Sequence, residues 1–178
     1  VTKSLHDSLI TMYFYEDTDY VKLKYETSLK KSSVGIVLID NYEEILSAQK
    51  DSSLSSVLTH IDELITTWVR KYDGAVQKYD RDRYLFIVEE TFITNAINDK
   101  FSILESAKTH TVGINKMPVT LSIGIGRELP SFNEKFEAAT SAIDMALGRG
   151  GDQVVMKTKS AFEYYGGKSK GVEKRTKV

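Results

Sequence analysis

Carboxylate and guanidinium side chains are concentrated at one short turn of this sequence. The turn is Asp80-Arg81-Asp82-Arg83, and it joins two segments of strand-like composition where a hairpin more usually carries Asn-Gly or Asp-Gly. Another carboxylate, Asp40, follows directly after the apolar run VGIVLI and is itself followed by Asn41. Carboxylate oxygens bind divalent cations, and guanidinium groups bind phosphates through paired hydrogen bonds. Together these residues could bind a phosphate ligand with a metal ion, provided that the fold brings them together.

The elements that must position these residues follow the order strand, helix, strand, strand, helix, strand. The run at 34–39 has the composition of a central strand buried on both faces. Apolar residues at three- and four-residue spacing predict helices over about 54–73 and 92–104, and alternation predicts strands over 75–79, 83–89 and 119–126. This is an α+β, ferredoxin-like or palm βαββαβ core, in which the first and third strands are adjacent and antiparallel. Asp40 is then expected to neighbour the Asp80–Arg83 turn.

A helix and a strand are added after this core. The capping box from Ser131 to Glu134 opens the helix, whose predicted apolar positions are Phe136, Ala139, Ile143 and Leu147, and QVVMK forms the strand. The intervening GRGGD, residues 148–152, is interpreted as a helix-ending turn, because no helix begins after it to direct N–H groups at an anion. The Lys-rich tail after Gly166 is interpreted as a linker, and residues 9–31 as a strand followed by a connecting helix.

Composition excludes several classes of protein. The 178 residues carry a net charge of −1, so we expect no nucleic-acid partner, and the absence of cysteine excludes disulfides and thiolate metal sites. Because the sequence starts at Val1 within a patterned region, we expect it to be part of a longer protein. Trp68 lies on the apolar stripe of its helix, whereas His60 lies off it, and the three histidines, His6, His60 and His110, are scattered without metal-ligand spacing.

Three segments, VTLSIGIG, AIDMALGRGG and KYDRDRY, resemble the framework of GGDEF domains, the diguanylate cyclase fold, over residues 33–157. In that family the hairpin reads Gly-Gly-Asp-Glu-Phe, which corresponds to 80–84 here, so that Arg83 replaces the glutamate that binds metal. The resemblance implies a degenerate domain that is not an active diguanylate cyclase. It further implies binding of ATP with Mg²⁺ and weak ATP hydrolysis, with Asp40, Asp80 and Asp82 as metal candidates and Asn41, Arg81 and Arg83 as nucleotide or phosphate contacts.

The segments VGIVLIDNYEE, GRGGDQVVMK and FEYYGGKSKGVEKRTKV resemble, more narrowly, cyclic-di-AMP phosphodiesterases of the GdpP type. The resemblance implies that residues 1–32 end a PAS domain and form a signalling helix, that 33–160 form the degenerate GGDEF domain, and that 161–178 lead to a DHH/DHHA1 module absent from this chain. It also implies a homodimeric parent at the cytosolic face of the bacterial membrane. That parent would hydrolyse cyclic-di-AMP to pApA with Mn²⁺ in the DHH module and would carry heme in the PAS domain.

Alternatives remain open from the sequence alone. Asp40 and Arg83 could form a plain salt bridge at a strand end. The domain could be an active nucleotidyl cyclase, which Arg83 disfavours, or an inert interaction or dimerisation module. An RNA-recognition fold has the same strand order, but RYLFIVEE ends in paired glutamates and offers no basic face.

Overall fold

The computed structural model describes residues 23, 32–48, 53–113, 116–166 and 173–176. Its main sheet has seven strands: β1 (Ser32–Ile39), β2 (Ala75–Lys78), β3 (Arg83–Glu89), β6 (Leu121–Gly126), β7 (Gln153–Lys157), β8 (Ala161–Gly166) and β9 (Glu173–Thr176). A separate ribbon pairs β4 (Thr111–Val112) with β5 (Met117–Pro118). The helices among these residues are α1 (Tyr42–Ala48), α2 (Ser53–Arg70), α3 (Glu90–Asn98), α4 (Ile103–Lys108) and α5 (Phe132–Gly148).

The strand order of the main sheet is β2-β3-β1-β6-β7-β8-β9. Strand β1 is antiparallel to β3, with Leu38 opposite Arg83, and also antiparallel to β6. This confirms the predicted palm-like order, including the adjacent first and third strands. As predicted, β1 is buried on both faces from its second residue onward.

Helices cover both faces of the sheet. On one face, α2 buries Ile61, Ile65 and Val69 against Phe86 and the other core residues of the strands. Trp68 packs at the edge of this cluster, with its ring 4.8 Å from that of Phe92. On the opposite face, α5 packs its middle turns against β1. The core therefore has two layers, one on each side of the central strands.

Helix α5 lies unusually close to β6 because that strand carries glycines where they meet. A Cβ atom built on Gly124 would be 2.3 Å from the carbonyl oxygen of Ala139, and one on Gly126 would be 1.9 Å from that of Lys135. The helix therefore turns its small residues to the sheet and buries Ala138, Ala139, Ala142, Ile143 and Ala146. The prediction that Leu147 belongs to the buried stripe is wrong, since it is 41% exposed. The predicted N-cap is confirmed: Ser131 accepts a hydrogen bond from the backbone N–H of Glu134.

The same helix is tied to both ends of β1. Near its amino end, the buried Lys135 donates a hydrogen bond of 2.6 Å from Nζ to the carbonyl oxygen of Ser32. Burial lowers the pKa of this ammonium, and the charge of Glu90 partly opposes that effect. Beyond its carboxyl end, the loop 149–152 contacts Asp40 directly after β1. One helix thus spans the full length of the central strand.

The helix predicted over 92–104 is two helices, α3 and α4, which is a correction. Between them Lys100 and Phe101 adopt positive φ angles of 53° and 51°. The reversal places the Phe101 side chain in the core, fully buried, where it packs beside Trp68 and Tyr165. Tertiary burial of one aromatic ring therefore overrides the local helical pattern.

The sheet also continues beyond residue 160, where we expected the domain to end and a linker to begin. Strand β8 pairs with β7, and β9 pairs with β8, both antiparallel. Residues 161–166 and 173–176 are consequently part of the sheet. Apart from Leu23, the predicted strand and helix over 9–31 lie outside the described residues.

Candidate functional site

The hairpin tip lies beside the carboxyl end of β1, as the sequence predicted. The backbone N–H of Ile39 donates a hydrogen bond of 2.9 Å to the carbonyl oxygen of Asp82. One residue further along, Asp40 N donates to the carbonyl oxygen of Thr120 in the segment before β6. The backbone at Asp40 is therefore fixed between the hairpin and the start of β6.

The Asp40 side chain faces the α5–β7 loop. Its Oδ2 accepts a hydrogen bond of 3.0 Å from the backbone N–H of Asp152. Gly151, with a φ angle of +71°, leaves room for this contact, since a Cβ atom there would be only 2.9 Å from the same oxygen. Burial raises the pKa of Asp40, while the hydroxyls of Ser122 and Thr120 and the Asp152 N–H lower it to a smaller extent. The α5–β7 loop is thus the main partner of this carboxylate.

The alternative of an Asp40–Arg83 salt bridge is wrong. Among the described residues, Arg83 pairs instead with its neighbour, with Nε 3.8 Å from Asp82 Oδ1. At the same turn, Asp80 Oδ1 accepts a hydrogen bond of 2.7 Å from the backbone N–H of Arg81. The hairpin carboxylates therefore engage groups of the hairpin itself, and the Arg81 side chain is exposed.

Asn41 is engaged in the fold through both ends of its amide. Its Nδ2 donates to the carbonyl oxygen of Pro118 at 2.9 Å, and its Oδ1 accepts from the N–H of Thr120 at 3.3 Å. The side chain fastens the turn after β1 to the segment before β6. Its predicted role as a phosphate contact stays a prediction, with its amide group already hydrogen-bonded within the protein.

A second carboxylate, that of Asp152 in the α5–β7 loop, lies near the carboxyl end of β1. Its Oδ2 lies 2.7 Å from Lys108 Nζ, which also lies 2.8 Å from Glu105 Oε1. Burial lowers the pKa of Lys108, but hydrogen bonds and charges from Asp152 and Glu105 outweigh it and raise the pKa above its ordinary value. The remaining oxygen, Asp152 Oδ1, is buried and has no hydrogen-bond partner in the described part of the chain.

The family resemblance implies a divalent cation at this site. Buried oxygens without a hydrogen-bond partner among the described residues indicate which residues fit one. Asp152 Oδ1 is buried without a hydrogen bond to any described residue. Asp40 Oδ1 and Ser122 Oγ also make no hydrogen bond of standard geometry there, although the Ser122 hydroxyl lies near enough to the carboxylate to lower its pKa. Buried oxygens of this kind are satisfied by an ordered water or an ion, and carboxylate and hydroxyl oxygens suit Mg²⁺. Within the described ranges, no three Asp, Glu or His side chains form a metal cluster. The residues that fit a cation are therefore Asp40 and Asp152, whereas the predicted Asp80 and Asp82 carboxylates already bind hairpin groups.

Sequence reasoning missed Asp152, Ser122 and Lys108. The interpretation of 148–152 as a helix-ending turn holds, since Gly150, Gly151 and Asp152 have φ angles of +100°, +71° and +55° directly after α5. The contact between this turn and Asp40 spans 112 residues of sequence. The available signal was the acidic residue that closes Gly-Arg-Gly-Gly-Asp immediately before a buried strand.

Solved structures with this arrangement of strands and helices are GGDEF domains. The GGDEF domain of DgcB from Caulobacter crescentus, solved in complex with c-di-GMP, matches with a TM-score of 0.63 and 14% identity, over 78% of this chain and 84% of that one. The active GGEEF domain of a diguanylate cyclase from Vibrio cholerae matches with a TM-score of 0.61 and 14% identity, over 78% and 92% of the two chains. The fold is therefore that of a GGDEF domain.

The chain belongs to the family described as cyclic-di-AMP phosphodiesterase GdpP-like, GGDEF domain, whose model matches residues 37–163. It is 33% identical over 174 residues to the cyclic-di-AMP phosphodiesterase GdpP of Geobacillus thermodenitrificans (strain NG80-2), covering 97% of this chain and 26% of that protein. It is 33% identical over 168 residues to the cyclic-di-AMP phosphodiesterase PdeA of Listeria monocytogenes serotype 1/2a (strain 10403S), covering 94% and 25%. The resemblance read from the sequence is confirmed.

The chain spans about a quarter of the length of these curated relatives. It also matches a membrane protein–large ribosomal subunit bL9 fusion protein of Aster yellows witches'-broom phytoplasma (strain AYWB), with 25% identity over 171 residues, 96% of this chain and 20% of that protein. In the described residues, no helix is long and apolar enough to cross a membrane.

Proposed function

We propose that this chain is a regulatory domain of GGDEF type within a cyclic-di-AMP phosphodiesterase, and that it is not itself a diguanylate cyclase. The proposal rests on one observation: near the carboxyl end of β1, the side chains of Asp40 and Arg83 have different partners. Asp40 binds the α5–β7 loop, while Arg83, at the hairpin position where active GGDEF cyclases have a metal-binding glutamate, pairs with Asp82. A guanidinium group cannot bind a metal ion. The pair of carboxylates that a two-metal nucleotidyl transfer requires is therefore missing between strand end and hairpin.

The domain contains groups that suit a nucleoside triphosphate. Arg81 is exposed at the hairpin tip and Arg83 is partly exposed at the start of β3, where guanidinium groups could bind phosphate oxygens through charged hydrogen bonds. Asp40 and Asp152 provide carboxylate oxygens for Mg²⁺, which would offset negative charge on the phosphates. We propose that ATP binds here with at most weak hydrolysis, because Arg83 replaces a metal-binding glutamate and the Asp80 and Asp82 carboxylates are turned to groups of the hairpin.

In the parent protein, the domain would connect a PAS domain to a DHH/DHHA1 module that hydrolyses cyclic-di-AMP to pApA with Mn²⁺. We further propose that the parent is a homodimer anchored at the cytosolic face of the bacterial membrane, with heme in its PAS domain. These assignments rest on the names of the relatives and on the resemblance of the sequence. Binding of a nucleotide at the hairpin would then change the activity of the phosphodiesterase module.

The first test is calorimetric titration of this chain with ATP, GTP and cyclic-di-AMP, with and without Mg²⁺. Loss of one charged phosphate contact is worth about 1.5–3 kcal/mol, so Arg83→Ala should weaken ATP binding by about 10- to 100-fold. Asp40→Asn should abolish the effect of Mg²⁺, and Asp144→Asn, at an exposed position of α5, serves as the control. If ATP bound equally well to the wild type, Arg83→Ala and Asp40→Asn, the proposed nucleotide site would be refuted. The domain would then be interpreted as an interaction module.

The second test separates regulation from cyclase activity. Incubation with GTP or ATP and Mg²⁺ or Mn²⁺ should yield no cyclic dinucleotide, and formation of one would overturn the proposal. In the full-length phosphodiesterase, ATP should change the rate of cyclic-di-AMP hydrolysis for the wild type and not for Arg83→Ala. Equal responses of both proteins would contradict regulation through this hairpin.

A further inference from the structure

Two of the three histidines of the chain lie side by side in the structure, although 50 residues separate them in the sequence. The rings of His60 in α2 and His110 after α4 have centroids 5.7 Å apart and planes inclined by only 17°. The spacing of the histidines along the chain did not indicate this pair, which the fold brings together. His60 is exposed and His110 is partly exposed, so both rings are accessible from solvent.

Both imidazoles are attached to firmly held backbone. The next residue along α2, Ile61, is fully buried, so the helix cannot turn without losing core contacts. The N–H of His110 donates to the carbonyl oxygen of Ala107 at 3.0 Å, and its own carbonyl oxygen accepts from the N–H of Val119 at 2.9 Å. Side chains on such rigid supports lose little freedom when they bind a common ligand.

Neutral imidazole is the commonest metal ligand in proteins and suits Zn²⁺, Cu²⁺ and Ni²⁺. With metal–nitrogen bonds of 2.0–2.1 Å, a tetrahedral ion requires two ring nitrogens about 3.3 Å apart. Because the lone pairs lie in the ring planes, the two nearly parallel rings must rotate about their Cβ–Cγ bonds before both can point at one ion, and the broad torsional profile of histidine permits this rotation. His60 Nδ1 lies 3.5 Å from Ser56 Oγ, so Nε2 is the nitrogen directed away from the helix and available to a metal.

We propose that His60 and His110 form a two-imidazole site for a borderline divalent transition metal ion, with Zn²⁺ as the type case and water completing its coordination. The site differs in chemistry from the oxygen set at Asp40 and Asp152, because Mg²⁺ prefers oxygen ligands. A metal bound here bridges α2 to the end of α4. It therefore joins two elements of the same helical layer and uses side chains that are not part of the proposed nucleotide site.

The test is calorimetric titration of the metal-free chain with Zn²⁺, accompanied by NMR of the imidazole nitrogens. Even loss of a residue that merely supports a metal ligand lowers affinity by 10- to 100-fold, so His60→Ala and His110→Ala should each weaken binding at least about tenfold. His6→Ala is the matched control and should leave the Zn²⁺ affinity unchanged. Zn²⁺ should shift the imidazole resonances of His60 and His110 and spare those of His6.

Three outcomes would overturn the site: no Zn²⁺ binding, equal affinity in all three variants, or loss of binding in His6→Ala. Circular dichroism of each variant verifies folding, which an exposed or partly exposed histidine should not control. Asp40→Asn should leave Zn²⁺ binding intact, and His60→Ala should leave the response to Mg²⁺ and ATP intact. The two sites can therefore fail separately.

Discussion

Substitution of Gly151 by alanine tests whether the α5–β7 loop is the true partner of Asp40. An alanine there must adopt the left-handed conformation at φ +71°, which costs roughly 1–2 kcal/mol. Its Cβ would also lie 2.9 Å from Asp40 Oδ2, a contact that adds about 1–3 kcal/mol because the carboxylate is held by the Asp152 N–H. Gly151→Ala should therefore destabilise the domain by about 2–5 kcal/mol.

Two neighbouring glycines provide matched controls. Gly150 also has a positive φ, of +100°, but nothing lies within 4 Å of its would-be Cβ, so Gly150→Ala should cost only the backbone component. Gly148 ends α5 with equally open surroundings, and Gly148→Ala should be neutral or stabilising by up to about 1 kcal/mol. The loss of stability should therefore increase from Gly148→Ala through Gly150→Ala to Gly151→Ala.

Urea unfolding followed by circular dichroism measures the ranking. With a slope of about 2 kcal/mol per molar urea, the added contact at Gly151 should separate its midpoint from that of Gly150→Ala by about 0.5–1.5 M. In an Asp40→Ala background this separation should disappear, since the clashing oxygens are gone. Equal midpoints for the two variants in the wild-type background would refute the contact between loop and carboxylate.

Further predictions concern single sites. The pKa of Asp40 is raised in the folded state, so between its ordinary value of 3.8 and the raised value the folded protein binds more protons than the unfolded one. Stability relative to Asp40→Asn should then fall as pH rises through that window. If the carboxylate were not desolvated, its hydrogen bonds would move the window below pH 4, and the difference between the urea midpoints of the two proteins would be constant from pH 4 to 7. Lys100→Gly should raise stability by about 0.5–1 kcal/mol in thermal melts, because Lys100 has a φ angle of 53°, and a lower melting temperature would contradict this. Gly126→Ala should destabilise by about 3 kcal/mol or more, since its Cβ would lie 1.9 Å from the Lys135 carbonyl oxygen; a soluble variant with an unchanged urea midpoint would exclude so close an approach.

Local patterns were sufficient to predict the elements that hold the site. Each of these elements was predicted from residues a few positions apart: the apolar run before Asp40, the spacing of the apolar residues in α2 and the capping box at Ser131. The strand order then followed from the succession of elements, and it correctly placed the Asp80–Arg83 turn beside Asp40.

The remainder depends on contacts between distant residues. The Asp40 carboxylate turns toward Asp152 because Gly151 leaves space for it, and no local pattern encodes that choice. Phe101 breaks a well-patterned helix in order to reach the core. The pairing of His60 with His110 likewise arises only when α4 lies along α2. Each of these misses concerns a side chain whose partner lies far away in the sequence.

The attachment of α5 to both ends of β1 has a mechanical consequence. A helix of 17 residues is about 25 Å long, and an extended strand of 8 residues is about 26 Å long, so the two match. Tension applied to the backbone at Ser32 would pull on Lys135 and on the whole helix together, rather than drawing the strand out alone. Displacement of the helix would also move the loop that contacts Asp40, so a force applied at one end of the central strand would be transmitted to the other end.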